Sequence, residues 1–191
     1  MMKKIHVLML GAFVALGLSS CIKEGEPYDR EAQYALEKPV IEEYVLANMP
    51  GAMEHEETGV WYEIVEPGEP GSFNYKTTYP NVYVNYVGEL LDGTEFDSDD
   101  SESGAKLPLG NMIGAWQLVF FPTEIRYDEN GELLPETFKF GGLLPDGLQK
   151  GAKIRFVTPS FFAYAQQGRG TIKPNSPLYF EIEVVDIEDP N

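Results

Sequence analysis

Few side chains in this sequence could act as nucleophiles, proton carriers or metal ligands at neutral pH. Cys21 is the only cysteine among the 191 residues, and the two histidines are His6 and His55. A Ser-His-Asp triad or a zinc site would have to use one of these residues. His55 lies in the acidic segment 54–57, which favours a solvated loop over a catalytic or metal-binding role. Catalysis by a histidine or a thiolate is therefore poorly supported.

An acidic run at 97–102 is the next group of residues that could do chemistry, as a calcium loop. An EF-hand loop that began at Asp97 would need Gly at its sixth position and Glu at its twelfth. Those positions hold Glu102 and Pro108. A solvated turn with Asp97 alone turned inward is the preferred interpretation. No Walker loop, dinucleotide-binding glycine pattern or HExxH sequence occurs, so neither a metal nor a cofactor is expected.

The composition predicts one folded domain with an acidic surface. Apolar residues make up 43% of the chain and aromatic residues 13%, which is enough for a single sizeable core. Lys and Arg number 14 against 31 Asp and Glu, for a formal net charge of −17. Because such a charge repels nucleic acid and anionic membrane surfaces, no nucleic-acid partner is expected.

The first twenty residues have the pattern of an export signal. Lys3 and Lys4 precede an apolar run at 7–18 that is too short for a comfortable transmembrane helix. The sequence Leu-Ser-Ser-Cys at 18–21 resembles the lipobox of bacterial lipoproteins, which implies cleavage before Cys21 and lipid attachment to its sulfur. An ordinary secretory signal with an incidental cysteine is the alternative.

Lipid on Cys21 would anchor the protein to a membrane of the bacterial cell envelope. Ile22 follows the cysteine, at the position where some bacteria use Asp to retain lipoproteins at the inner membrane. Attachment to the outer membrane, facing the periplasm, is therefore favoured, and surface display is the alternative.

The elements that would position a site begin with a tether at 21–29 and a helical segment at 30–58. Asp29 is a candidate N-cap, and Pro39 predicts a break or two short helices. The apolar stripe is expected to pack against the main domain, with a dimer contact as the alternative. Its members recur at roughly helical spacing: Val40, Ile41, Tyr44, Val45 and Met49.

From Val60 onward the pattern changes to alternating apolar and polar residues. Strands are predicted at 60–65, 81–91 and 152–158, and along the C-terminal segment that begins at Leu178. The Asp92-Gly93 pair predicts a hairpin turn. Four or five antiparallel strands are expected.

Several blocks of this strand-rich part resemble FKBP-type peptidyl-prolyl isomerases. The segment VNYVGELLDGTEFDS at 84–98 is similar to the family's central signature, and LPLGNMIGAW at 107–116 to its loop into a short helix. Further blocks follow in the family's order as far as 183. The resemblance implies an α+β fold, in which a curved antiparallel β-sheet at 59–191 wraps around a short α-helix and the helical segment 30–58 is an N-terminal extension.

In the family, an apolar aromatic pocket binds the ligand. The resemblance implies that Asp97 is a buried carboxylate of this pocket, and that the Ile113 amide and the Tyr164 phenol bind ligand carbonyls. Without the resemblance, the aromatic residues among them would be read as ordinary core. The catalytic residues carried over are Tyr86, Phe96, Asp97, Ile113, Trp116 and Tyr164, and the further substrate contacts are Met112, Ile172 and Phe180.

The activity that the resemblance implies is cis–trans isomerisation of X-Pro bonds in exported, proline-containing polypeptides. A non-catalytic FKBP-like peptide-binding or chaperone lipoprotein is the alternative. An insertion at about 117–146, with a hairpin turn at 128–131, would cover or extend the cleft or form a peripheral decoration. Ala105 stands where many members have an aromatic residue, and Ala115 and Ala165 stand where they have glycine.

Overall fold

The structure, a computed structural model, describes residues 28–190. The signal predicted at 1–20, the lipid site Cys21 and most of the tether predicted at 21–29 lie outside the described residues. Within 28–190, no helix has both the length and the apolar character needed to cross a membrane.

A seven-stranded antiparallel sheet forms the body of the protein, and the predicted α+β class is confirmed. The long strands lie in its middle, in agreement with the sequence pattern. The spatial order is β1 (Met53–His55), β2 (Val60–Pro67), β8 (Ala152–Thr158), β9 (Leu178–Glu188), β3 (Asn81–Leu90) and β4 (Glu95–Asp99), and β5 (Ala105–Pro108) pairs with the same edge of β3 as β4 does.

The expectation of four or five strands was too low, because it missed the short strands at the sheet edges. Strand β1 has three residues, and β4 has the largely polar sequence EFDSD. Strands this short contain too few residues for an alternating apolar pattern to be recognised.

The main core lies on one face of the sheet, where the short helix α2 (Gly114–Phe120) packs. Ala115, Trp116, Val119 and Phe120 of this helix are buried, and they meet inward-facing residues of β8 and β9 such as Phe156. The alternation in β8 and β9 thus turns one side of each strand toward α2.

Helix α1 (Arg30–Asn48) covers the opposite face of the sheet. Ile41, Val45 and Met49 are buried together with Val157 of β8, so the predicted packing of the apolar stripe against the main domain is confirmed. Val40 is the exception, with 52% of its surface exposed. The sheet is therefore covered on both faces.

The predicted break at Pro39 was wrong, because α1 continues through it as one helix. The Asp29 side chain caps this helix by accepting from the Ala32 amide at 3.0 Å, as predicted. Pro39 lacks the N–H that would bond to the Ala35 carbonyl, but both residues are exposed, so water can satisfy that carbonyl. Burial of the stripe beyond Pro39 outweighs the cost of the proline.

The insertion forms a hairpin of β6 (Glu124–Tyr127) and β7 (Leu133–Lys139), as the turn signal at 128–131 predicts. The Asp128 carboxylate accepts from the amides of Asn130 and Glu132 and so orders the turn. Phe121 stacks on Phe140 at a ring distance of 4.3 Å. The hairpin and the segment 73–80 pack around these aromatic rings.

A small polar cluster joins α1 to β1. The Glu54 carboxylate accepts from the Tyr34 hydroxyl at 2.8 Å and from the Lys38 ammonium at 2.9 Å. Partial burial opposes ionisation, but these two hydrogen bonds outweigh it and hold the pKa of Glu54 below its ordinary value of 4.5. The cluster therefore contributes stability while Glu54 is ionised.

The variant Glu54→Gln is expected to lower the free energy of unfolding at pH 7 by about 1 kcal/mol or less, since the ion pair is partly exposed. The difference from wild type should persist above pH 4.5 and vanish as the pH falls through the lowered pKa, where both side chains are neutral. Urea unfolding between pH 7 and pH 3 measures this, with the exposed Glu43→Gln as the control. A difference that is constant with pH would contradict the assignment.

Candidate active site

Four aromatic rings from four elements meet beside the core. The Trp116 indole of α2 lies edge-on to Tyr86 of β3 and to Phe180 of β9, at ring distances of 5.3 and 5.8 Å. Phe96 of β4 in turn lies edge-on to Phe180 at 5.7 Å. These edge-to-face contacts hold the rings at large angles to one another and leave a concave surface between them.

The position of Phe96 depends on a glycine in the neighbouring strand. Gly88 of β3 is the pairing partner of Asp97, and a Cβ at this position would lie 2.7 Å from the Phe96 ring and 3.0 Å from Phe180. The first distance is shorter than real Cβ contacts, and the second is tighter than most of them. The absence of a side chain at Gly88 therefore allows the two rings to meet across the sheet.

The chain that enters α2 forms one side of the concave surface. The Gln117 side chain turns back from the helix and donates to the Met112 carbonyl at 3.0 Å, which fixes the peptide before Ile113. Among the residues described, none accepts a hydrogen bond from the Ile113 amide. A rigidly held N–H is thus available at this edge.

The opposite side is formed by Tyr164 and the loop that follows it. Arg169 and Ile172 exchange two backbone hydrogen bonds of 2.9 Å, which fold the loop into a tight hairpin. The Arg169 guanidinium lies 5.6 Å from the centre of the Tyr164 ring and donates weakly to its hydroxyl at 3.4 Å. Tyr164 is half-buried, with its hydroxyl near the surface of the site.

The structure brings all nine sequence-predicted site residues together around two adjoining cavities. One cavity, of about 80 Å³, is lined by Tyr86, Phe96, Asp97, Met112, Ile113, Trp116, Tyr164 and Phe180. The other, of about 390 Å³, includes Ile172. The two share four lining residues and so form one continuous cleft: Phe96, Asp97, Tyr164 and Arg169.

Asp97 differs from the expectation, because its side chain is exposed at the rim rather than buried. It lies on β4, which among the strands described in residues 28–190 pairs with β3 alone and so forms an edge of the sheet. Burial together with the nearby Asp97 carboxylate raises the pKa of Tyr86 to about 12. Tyr86 therefore remains protonated at neutral pH.

Four further lining residues were not among the predicted site residues, namely Asn111, Arg169, Gly170 and Thr171. The supporting Gln117 was not predicted either. Asn111 lies within the motif at 107–116, so the motif could have identified it as a residue of the cleft. Arg169 lies at a loop tip whose length departs from the family pattern, and only its proximity to Tyr164 in the fold reveals it. Gln117 has no sequence signal, because its role comes from a backward turn of the side chain.

The remaining candidates for chemistry lie elsewhere. His55 is the half-buried last residue of β1 rather than part of a solvated loop, and its Nδ1 lies 2.9 Å from the hydroxyl of Thr58 in the turn that follows. Across residues 28–190, no three Asp, Glu, His or Cys side chains cluster in a way that could hold a metal ion. No residue of the insertion at 117–146, all of which is described, lines the cleft, so the hairpin does not cover it.

An antiparallel sheet with a short helix on one face, and an aromatic cleft whose floor is that helix's tryptophan, define an FKBP-like architecture. The family model for FKBP-type peptidyl-prolyl cis-trans isomerases matches residues 145–185. FkpA of Escherichia coli is similar in structure, with a TM-score of 0.56 and 26% identity over 83% of this chain and 62% of that chain. A peptidyl-prolyl cis-trans isomerase of Pseudomonas syringae is also similar, with a TM-score of 0.54 and 27% identity over 86% of this chain and 100% of that chain.

In sequence, the chain is 32% identical over 151 residues to the FKBP-type peptidyl-prolyl cis-trans isomerase FkpA of Aeromonas hydrophila. This match covers 78% of the chain but 46% of the Aeromonas protein, and the match to FkpA of Escherichia coli K12 covers 38% of that relative. The chain thus spans less than half the length of these relatives. It belongs to the FKBP-type peptidyl-prolyl cis-trans isomerase family.

Ala165, next to Tyr164, has a backbone φ of +45°, in the left-handed region that favours glycine. An alanine in this region carries a strain of about 1–2 kcal/mol, which glycine relieves at a cost of about 0.5–1 kcal/mol in chain entropy. We expect Ala165→Gly to leave the unfolding free energy unchanged or raise it by up to about 1 kcal/mol.

Chemical denaturation measures this effect, with Ala35→Gly on the exposed face of α1 as the matched control. The control should lower stability by about 1 kcal/mol, since it lies in a helix interior with no positive φ to relieve. Equal losses for both variants would show that Ala165 carries no strain.

Proposed function

We propose that this protein is a peptidyl-prolyl cis-trans isomerase that assists the folding of exported polypeptides. The observation that carries the proposal is the cleft with Trp116 at its floor and the Ile113 amide and Tyr164 hydroxyl at its edges. The substrate is a proline-containing segment whose ring rests on the indole. Because the chain spans less than half the length of the FkpA proteins of Aeromonas hydrophila and Escherichia coli, the activity and the substrate are proposals for this chain.

The reaction needs no acid–base group, since rotation of an X-Pro bond breaks no covalent bond. The barrier of about 18–20 kcal/mol comes from amide resonance, which is lost in the twisted amide. The twisted amide has less charge separation than the planar one, so a water-poor aromatic cleft favours it more than water does. The cleft therefore stabilises the transition state over the bound ground state.

Two hydrogen-bond donors orient the substrate backbone in the cleft. Gln117 holds the peptide before Ile113 in place, so the Ile113 N–H meets a substrate carbonyl without reorganisation. The Tyr164 hydroxyl accepts from Arg169 and so has its own hydrogen free to donate. Trp116, Phe96 and Phe180 contact the proline ring, and apolar contacts from Met112 and Ile172 extend the surface.

Asp97 acts at the rim rather than in the interior. Its carboxylate lines the same cavity as the Arg169 guanidinium and lies near the Tyr86 hydroxyl. In this position it adjusts the electrostatic field over the cleft and orders the Tyr86 hydroxyl. Its exposure leaves it accessible to polar groups of the peptide next to the proline.

The protein acts from a membrane of the bacterial cell envelope, to which lipid on Cys21 attaches it. The lipobox-like sequence at 18–21 supports this anchor, and Ile22 after the cysteine favours the outer membrane, facing the periplasm. The segment 21–29 then tethers the domain to the membrane. It is followed by the extension at 30–58, which is helical only over Arg30–Asn48 and adds β1 to the sheet, and by the FKBP-like domain at 59–191. Substrates are proline-containing chains that have crossed the inner membrane.

Tyr164→Phe is expected to lower kcat/KM for a Phe-Pro peptide by about 2- to 10-fold, because one neutral hydrogen bond to the transition state is lost. NMR exchange spectroscopy of the cis and trans peptide signals measures the rate. The control is Tyr83→Phe on β3, whose phenol lies beside Lys106 and lines neither cavity. This control should retain the wild-type rate.

If the folded wild-type protein does not accelerate the exchange, the isomerase proposal is wrong for simple peptides. Binding of the same peptide without acceleration would instead support the non-catalytic peptide-binding alternative. An equal loss in both tyrosine variants would remove the special role of Tyr164.

Cys21→Ser is expected to abolish the incorporation of labelled palmitate and to release the protein from the membrane fraction, because the thiol is the attachment point. Expression of the full chain in a bacterium, followed by fractionation, measures both effects. Ser20→Ala keeps a small residue before the cysteine and should leave both unchanged. A wild-type chain that takes up no label would indicate an ordinary secretory signal.

A further inference from the structure

A buried carboxylate connects α1 to the segment that carries Tyr164. Glu37 lies in the middle of α1, and only 4% of its surface is exposed. One carboxylate oxygen accepts from the Ser160 amide at 2.8 Å, and the other accepts from the Ser160 hydroxyl at 2.5 Å and from the Gln33 side chain at 2.8 Å. Burial of a carboxylate is costly unless donors surround it, and here three do.

Ser160 passes this restraint on to the backbone around Tyr164. Its carbonyl accepts from the amides of both Ala163 and Ala165 at 2.9 Å, and these two residues flank Tyr164. Ser160 is itself buried at the end of β8, where the chain turns toward the cleft. A continuous path of hydrogen bonds therefore runs from Glu37 through Ser160 to the backbone on both sides of Tyr164.

Two other contacts from the same helix end converge on this segment. Tyr34 lies edge-on to Phe161 at a ring distance of 6.2 Å, and the Tyr28 hydroxyl lies 3.5 Å from the Ser160 hydroxyl. Neither could replace the carboxylate, because neither supplies an acceptor for the Ser160 amide. Among the described residues, Glu37 is thus the only acceptor for the Ser160 amide.

We propose that Glu37 is a positioning residue for Tyr164, so that helix α1, on one face of the sheet, influences the geometry of the cleft on the opposite face. This inference rests on the proposed isomerase function and deepens it. Its physical basis is that the Glu37 carboxylate accepts from both buried donors of Ser160, and that the Ser160 amide would otherwise be buried without an acceptor. Without the carboxylate, the turn must shift to satisfy them, and Tyr164 shifts with it.

The test is a double-mutant cycle with Glu37→Gln and Tyr164→Phe in the full chain. Glutamine keeps the size of the side chain but replaces one acceptor oxygen with a donor that faces other donors. We expect Glu37→Gln to lower kcat/KM by about 2- to 10-fold, up to the effect of Tyr164→Phe, because it acts through the same hydrogen bond. In the Tyr164→Phe background, Glu37→Gln should have no further effect on the rate.

A purely structural role predicts a different outcome, namely the same fold-loss in both backgrounds. That result would overturn the proposal. Glu43→Gln, at an exposed position of α1, is the matched control and should leave the rate unchanged. Rates are compared at a temperature where denaturation curves show every variant fully folded, so that unfolding does not enter the cycle.

A second readout keeps the inference separate from the isomerase proposal. The NMR signals of the Ala165 amide and the Tyr164 ring should change in Glu37→Gln and not in Glu43→Gln, whether or not the wild type catalyses exchange. Unchanged signals would overturn the positioning role, and a shifted signal in a protein without activity would overturn only the proposed function.

Discussion

The packing of one indole ring joins the stability of this protein to its binding site. Only 1% of the Trp116 surface is exposed, and the indole contacts rings from β3, β9 and its own helix. The same ring is the floor of the cleft. Loss of a buried aromatic ring from a protein core costs about 3–5 kcal/mol. The floor of the cleft is therefore part of the hydrophobic core, and the forces that hold the core together also maintain the shape of the cleft.

The two helices act on the cleft from opposite faces of one sheet. Helix α2 supplies the floor directly, whereas α1 lies on the far face and reaches the site only through the turn after β8. Ser160 at this turn is the point where the two layers meet, since Glu37 binds it from one side and the backbone around Tyr164 from the other. The helical extension is therefore an integral layer of the fold.

Much of this arrangement could be predicted from the sequence, because burial leaves a periodic pattern. Strands β3, β8 and β9 alternate over much of their length, and spaced motifs located nine of the residues that line the cleft. The edge strands β1, β4 and β5 have only three to five residues, too few for an alternating pattern to be recognised. Other features depend on tertiary contacts that no local signal reports. Helix α1 continues through Pro39 because residues beyond the proline are packed. Asp97 is exposed because β4 lies at an edge of the sheet. Glu37 can be buried because Ser160, 123 positions away in the sequence, donates to it.

The order of the strands also governs when the cleft can form. Strand β2 pairs locally with β1, and β3 pairs locally with β4 and β5, but the pairs that join them into one sheet, β2 with β8 and β3 with β9, involve strands far apart in sequence. Such distant pairing slows folding, because loop-closure entropy is lost before the contacts compensate for it. Phe180 lies on the last strand, so a growing or partly threaded chain has no complete cleft. A protein of this topology must finish its own long-range assembly before it can engage another chain.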